Sequence, residues 1–181
     1  MRSELKRKLD YSDLLVSPDD GMRYELVRGD LHVNPSPSPV HQRISKRLQR
    51  QLEAYFEDRS IGEVFNAPID LILTNQDVFV PDLLVVARPS HITGRGIEGP
   101  PLLVVEILSP STRGVDRGVK ARRYAELGVE HYWIVDPERK RLECHRLVQG
   151  AFRSLVDAEG DATLAHPDWD GLIVDLRALW R

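Results

Sequence analysis

A single cysteine among 181 residues leaves no partner for an intramolecular disulfide, and Cys144 alone fits a reducing cytoplasm. No apolar run reaches the roughly 18 residues of a membrane span, and the polar start Met1-Arg2-Ser3-Glu4 does not read as a signal peptide. A cytoplasmic protein with no membrane partner is therefore expected. An excess of positive charge is missing too: 25 Lys and Arg stand against 28 Asp and Glu, a formal net charge of −3. A nucleic-acid binder of this balance would have to rely on a local basic stripe. There is no paired Cys-x-x-Cys or His-Glu-x-x-His for zinc, no Walker-type phosphate loop and no G-x-S-x-G nucleophile elbow. Repeats and low-complexity stretches are absent as well. What remains is a globular mixture, 41% apolar and 29% charged, of a length suited to one domain over 1–181, with residues 1–9 expected to fray.

Two nearly continuous apolar runs dominate what is present. Leu83-Leu84-Val85-Val86 follows Pro81-Asp82, and Leu102-Leu103-Val104-Val105 ends at Glu106. Such runs suit strands covered on both faces. Tyr24–Val27 and Leu31–Val33 read as an N-terminal hairpin across Arg28-Gly29-Asp30. A rigid Pro-Ser connector then leads to a helix over Val40 to Glu57, with His41, Ile44, Leu48, Leu52 and Tyr55 on one face. Arg43, Lys46, Arg47 and Arg50 lie on the other, either a phosphate-tracking stripe or a solvated face. Further strands are expected at Ile61–Phe65, Ile69–Leu73, His131–Val135, Arg141–Leu147 and Ala151–Leu155. A polar loop is expected over 87–101, a second helix over Gly114 to Leu127 and a closing helix over Leu172–Trp180. The class is α/β or α+β, a mixed sheet flanked by helices.

An ionised carboxylate at the edge of an apolar strand is costly unless it is paired or metal-bound. Asp82 and Glu106, ending neighbouring strands, could each give one oxygen to a hard cation such as Mg²⁺, with the Ile107 backbone carbonyl and waters completing the shell. The alternative is structural: Asp82 caps a turn and Glu106 pairs with an arginine. Stepping back along the second helix from Tyr124 reaches Lys120, then Asp116 and Arg117, so its inward stripe turns cationic near Glu106. Lys120 could steady charge on a phosphate or could lie solvated at an edge. Glu25 faces away from Tyr24 and Leu26, towards either a shared acidic site or solvent. His41 is a core histidine or a neighbour of the site.

Pro81-Asp82 followed by Glu106-Ile107-Leu108 resembles the PD-(D/E)XK nuclease signature. The ordered set is more specific. Tyr24–Leu31, Pro35–His41, Pro81–Val86, Gly99–Thr112, Asp116-Arg117 with Lys120 and Tyr124, and Tyr132–Pro137 together resemble the Uma-two group of restriction endonucleases. That resemblance covers about residues 10 to 155. It implies a restriction-endonuclease-like core and phosphodiester hydrolysis with Mg²⁺ or Mn²⁺ on Asp82 and Glu106. Leu108 stands where the wider superfamily has lysine, a departure that the Uma-two pattern shares, and Lys120 would supply the ammonium. Glu25 would be a further acid of the site. Arg113, Arg117, His41, Arg43 and Arg47 are the candidates for contact with DNA, and analogy with related nucleases implies a homodimer. The rival readings are a catalytically degenerate member that binds nucleic acid or protein, and a hydrolase of small phosphate esters.

Overall fold

A computed structural model describes residues 7–181. Asp10 caps the one-turn helix α1 (Tyr11–Leu14) by accepting the Ser12 N–H. The hairpin of β1 (Arg23–Val27) and β2 (Asp30–Asn34) follows, turning through Arg28 and Gly29 at positive φ. The connector then enters α2 (Pro39–Phe56), where Ser38 accepts the His41 N–H and Pro39 stands where a missing N–H costs nothing. Four strands come next: β3 (Glu63–Asn66), β4 (Leu71–Thr74), β5 (Asp77–Phe79) and β6 (Leu83–Val86).

The expected loop over 87–101 is more ordered than its polarity suggests. It holds a 3₁₀ turn at Pro89–His91 and a hairpin of β7 (Ile92–Thr93) and β8 (Gly96–Glu98). Gly96 makes this possible: at φ +139°, a Cβ there would lie 2.4 Å from the Asp70 carbonyl oxygen, so only glycine lets β8 run beside β4. After β9 (Leu103–Ile107) the second helix is broken into three parts. α3 (Arg113–Val115) passes through a π-helical turn, Asp116–Lys120, into α4 (Ala121–Glu126). The remaining elements are β10 (His131–Asp136), β11 (Arg141–Val148), β12 (Ala151–Glu159), β13 (Thr163–Ala165), β14 (Ile173–Asp175) and α5 (Leu176–Trp180). The expected closing helix over Leu172–Trp180 is thus half strand, because Ile173–Asp175 pairs with β13.

The central sheet has the order β12-β11-β10-β9-β6-β3 and is mixed: β9 and β10 run parallel, the other neighbours antiparallel. A second sheet, β2-β1-β5-β4-β8-β7, lies across one of its faces. Leu83, Val85, Leu103 and Val105 pack with Ile44, Leu48, Leu52 and Phe56 of α2. The alternate residues Leu84, Val86 and Val104 pack with Phe79, Ile97 and Tyr124 on the other side. Both faces are covered, which is why the two runs are apolar without alternation.

Residues 1–6 of the segment expected to fray lie outside the described residues. Leu9 is tied down: its N–H donates to the Gly29 carbonyl at 3.0 Å, and its side chain packs on Tyr11, Leu26, Ile72 and Val78. At the other terminus Asp175 caps α5 by accepting the Ala178 N–H. Asp175→Ala is expected to lower stability by about 1 kcal/mol, read as a lower urea midpoint at an unchanged slope.

Candidate active site

Leu83 of β6 lies opposite Val105 of β9 in an antiparallel register. The residue before Leu83 and the residue after Val105 therefore fall at one end of the sheet, and Asp82 and Glu106 meet there. Glu25 arrives from β1, and Asp116 and Lys120 from the π-helical turn. Every one of these five residues is buried, none more than 3% exposed.

Lys120 is the hub. Its Nζ lies 2.7 Å from Glu106 Oε1, 3.0 Å from Glu25 Oε1 and 3.5 Å from Asp116 Oδ1. The Tyr124 hydroxyl donates to the same Glu106 Oε1 at 2.9 Å. Glu25 also accepts the Val80 N–H at 2.8 Å and the Asn34 side-chain amide at 2.6 Å. Asp82 is held from the other side: Arg23 Nη1 reaches Oδ1 at 2.9 Å, while His41 Nε2 and the Ile107 N–H reach Oδ2 at 3.0 and 2.7 Å. A cavity of about 260 Å³ opens over these groups, rimmed by the hydroxyls of Ser36, Ser38, Ser109, Ser111 and Thr112.

The electrostatics follow from burial and crowding. Burial pushes Glu106 well above the ordinary carboxylate range; Lys120 opposes this, and Asp116, Asp82 and Glu25 add to it. Burial also raises Asp116, against the pull of Lys120 and Thr112. Burial would raise Asp82 as well, but His41, Arg23 and the Ile107 N–H outweigh it and leave it below its usual value. Burial alone would discharge Lys120, yet Glu106, Glu25 and Asp116 hold its ammonium well above the usual lysine value. Four carboxylates face two permanent cations, Lys120 and Arg23. With all four ionised the excess is two negative charges, that of one divalent ion, and a cation there would favour the ionised Glu106 over the protonated form that its burial favours.

The structure brings Asp82, Glu106, Lys120, Glu25 and His41 into one cluster. Ile107 joins through its N–H, which donates to Asp82. The remaining candidates lie elsewhere. Arg113 is committed to Asp136 at 2.9 Å and Glu138 at 2.6 Å, and Arg117 to both oxygens of Glu143 at 2.8 Å. Arg47 donates to the Leu179 carbonyl at 3.1 Å and to that of Arg181, pinning the C-terminus. Arg43 is exposed and makes no ion pair among the described residues. Sequence reasoning missed Arg23 and Asn34 and took Asp116 only as part of a helix stripe. Arg23 had a signal, since it stands two residues before Glu25 on the same strand face and opposite Asn34 in the hairpin.

The donors suit a hard cation: all are oxygens, carboxylates predominate, and negative charge is in excess. Among the described residues, no three His, Cys, Asp or Glu side chains are spaced to clasp an ion as they stand. Lys120 lies between them. The fit is one of donor chemistry and charge.

A mixed sheet flanked by helices, with acids gathered where two of its strands end, defines a restriction-endonuclease-like protein. The model of the Uma2 family, described as "Putative restriction endonuclease", matches residues 10–176, and the chain belongs to that family. A crystal structure of a putative nuclease belonging to DUF820, from Anabaena variabilis, superposes with a TM-score of 0.75 at 19% identity, covering 95% of this chain and 97% of that one. An uncharacterized protein of Synechocystis, slr1290, is 34% identical over 104 residues, 57% of this chain. The matched region spans 54% of that relative, about half its length.

Proposed function

We propose that the chain is a metal-dependent endodeoxyribonuclease in which Asp82 and Glu106 hold Mg²⁺ or Mn²⁺ and Lys120 stabilises charge developing on the phosphate. The observation that carries this reading is a cluster of four buried carboxyl groups at one end of the sheet, three of them, Glu106, Glu25 and Asp116, converging on the Lys120 ammonium and the fourth, Asp82, held beside them by Arg23. A divalent cation bound there lowers the pKa of a water and polarises a phosphoryl oxygen. The chain's own residues do the rest. Arg23, His41 and the Ile107 N–H fix Asp82 in one orientation, and Tyr124 does the same for Glu106. Lys120 is kept charged, so it can donate to a phosphoryl oxygen without first acquiring a proton. The hydroxyl rim offers neutral donors to the flanking phosphates, and the buried walls limit bulk water around the scissile bond. Glu25 and Asp116 act on Lys120 as positioning residues. The enzyme works in the cytoplasm as a homodimer.

Isothermal titration with Mn²⁺ tests the site. The wild type is expected to bind one ion per chain at up to millimolar concentration, and Asp82→Ala and Glu106→Gln to bind at least tenfold more weakly, in line with the roughly 10–100-fold cost of disturbing even an outer metal partner. Equal binding by wild type and variants would remove the metal from this site.

A degenerate, binding-only member is the second reading, favoured by the observation that Lys120 already satisfies Glu106 and Glu25. Incubation with plasmid and with single-stranded DNA separates the two. Cleavage that requires Mn²⁺ and disappears in Glu106→Gln supports the nuclease; DNA retained uncut by both proteins supports the binder.

A further inference from the structure

Nearly every arginine near the active site is spent on an acid. The exception is one face of the molecule. Beside the mouth of the carboxylate cavity, Val40 and Pro137 belong both to its wall and to the wall of a second cavity, lined further by Arg43, Lys140, Trp180 and Arg181. Arg47 and Arg181 continue from that cavity into a third, which adds Arg50. The three hollows thus form one groove, entering α2 at its N-terminal turn and running along it to the C-terminus of the chain. Arg43, Arg50, Lys140 and Arg181 are exposed, and among the described residues none makes an ion pair. Beyond the carboxylate cavity, Asp175 is the one acidic side chain lining the second and third hollows, and its Oδ1 is occupied with capping α5; Glu138, at the cavity mouth beside Pro137, is paired with Arg113. In a chain of net charge −3, four cations without an ion pair thus follow one another along a track that starts at the carboxylates.

We infer that a single strand of nucleic acid leaves the carboxylate cavity over Val40 and Pro137 and follows this groove. Arg43, Lys140, Arg50 and Arg181 hold its phosphates, and one base stacks on Trp180. The inference rests on the nuclease reading and names the form of its substrate. Two observations favour one strand over a duplex. First, the acids are no more than 3% exposed beneath a cavity of about 260 Å³, so the scissile phosphate must enter a walled recess. Second, the groove combines cations with an aromatic ring, the combination that suits unpaired bases. The Trp180 indole N–H donates to the Gly160 carbonyl at 2.7 Å, which holds the ring in place. An acidic protein or an anionic membrane would also meet the cations, but neither would use an entrance to the buried carboxylates.

Fluorescence anisotropy of a labelled strand of about 20 nucleotides, a length that spans one or two binding sites of the usual size, tests this on the full chain, in EDTA and low salt, against a duplex of the same sequence. The wild type is expected to bind the single strand at least fivefold more tightly than the duplex. Arg43→Glu/Lys140→Glu should weaken single-strand binding at least thirtyfold and flatten its salt dependence, each lost phosphate contact lowering the log–log slope by about 0.7. Both positions are exposed and unpaired, so folding is retained, and a circular dichroism melt checks it. Arg153→Glu, equally charged but on β12 outside the groove, is the control. The inference is overturned by equal affinity of wild type and double variant, by equal losses in the double variant and the control, or by duplex binding at least as tight as single-strand binding. Because no metal is present, failure of the metal site leaves this result intact. Failure of the groove leaves Mn²⁺ titration unaffected in its turn.

Discussion

Replacing Lys120 with methionine is expected to reduce metal-dependent cleavage by about 10²–10³-fold, the typical cost of losing one preorganised donor to developing charge. Methionine keeps most of the stem volume, so the change is mainly electrostatic. It is also expected to destabilise the fold by about 3–5 kcal/mol near neutral pH, because Glu106, Glu25 and Asp116 lose the cation that compensates them inside the protein. The sign of the pH dependence is fixed by Glu106, whose folded pKa is already raised. A raised carboxyl favours folding when protonated, so its contribution is present at low pH and lost as pH rises through the folded value. Without Lys120 that loss deepens. The variant should therefore recover stability relative to wild type as pH falls from 8 to 5, and millimolar Mn²⁺ should raise its melting temperature more than that of wild type. Lys120→Arg separates the two effects, since it retains the charge with different reach and donor geometry. Unchanged cleavage by a folded Lys120→Met protein would take the ammonium out of the reaction. A variant equally stable at pH 8 and pH 5 would show that Lys120 does not compensate the buried acids.

The carboxylate cluster was legible in the sequence to the extent that its members end recognisable elements. Asp82 and Glu106 terminate apolar runs, and two adjacent antiparallel strands bring the start of one to the end of the other. Lys120 could be placed because Tyr124 marks the buried stripe one turn further along. The π-helical turn could not be read: Gly114 and Gly118 weaken the helix, but nothing in the residue types says that one turn widens to hold both Asp116 and Lys120 inward. Arg23 was hidden for a related reason. It needs the hairpin register and the approach of β1 to β5 before it faces Asp82, and both are long-range facts. The hairpin at Ile92–Glu98 was lost in polar composition, since its order comes from pairing with β4 and from Gly96. Arg113, Arg117 and Arg47 have partners that residue type does not announce. Arginines near an active site suggest phosphate contacts, yet these three hold Asp136, Glu143 and the C-terminal carbonyls. Only the arginines without such partners remain for a polyanion.

The fold should also lose stability in mild acid through a pair of histidines remote from the carboxylates. His131 opens β10, and His166 follows β13 in the segment that closes over the central sheet. Both rings pack against Trp169, with centroids 4.3 and 4.2 Å from it and 5.5 Å from each other, and His166 also stacks on Trp133 at 5.4 Å. Burial lowers both pKa values to about 4 from an ordinary 6.5; Asp168 opposes this, while Arg146 adds to it and His131 further lowers His166. The folded chain therefore keeps both rings neutral over a range in which the unfolded chain protonates them. Stability is fully present above pH 6.5 and is lost as pH falls towards 4. The loss is about 3 kcal/mol per ring, because a tenfold difference in proton affinity between folded and unfolded chain is worth about 1.4 kcal/mol. His131→Phe/His166→Phe keeps the aromatic stack, and it removes two ring nitrogens, His131 Nδ1 and His166 Nε2, that have no hydrogen-bond partner. Urea unfolding at pH 7 and at pH 4 should show the wild type losing several kcal/mol more than this variant. Carboxylates titrate in the same window, and Glu106 acts in the opposite direction, so the difference between the two proteins is the quantity that isolates the rings. Parallel loss in both proteins would mean that the histidines are not the acid-sensitive element, and that the C-terminal segment is held equally well with its rings charged.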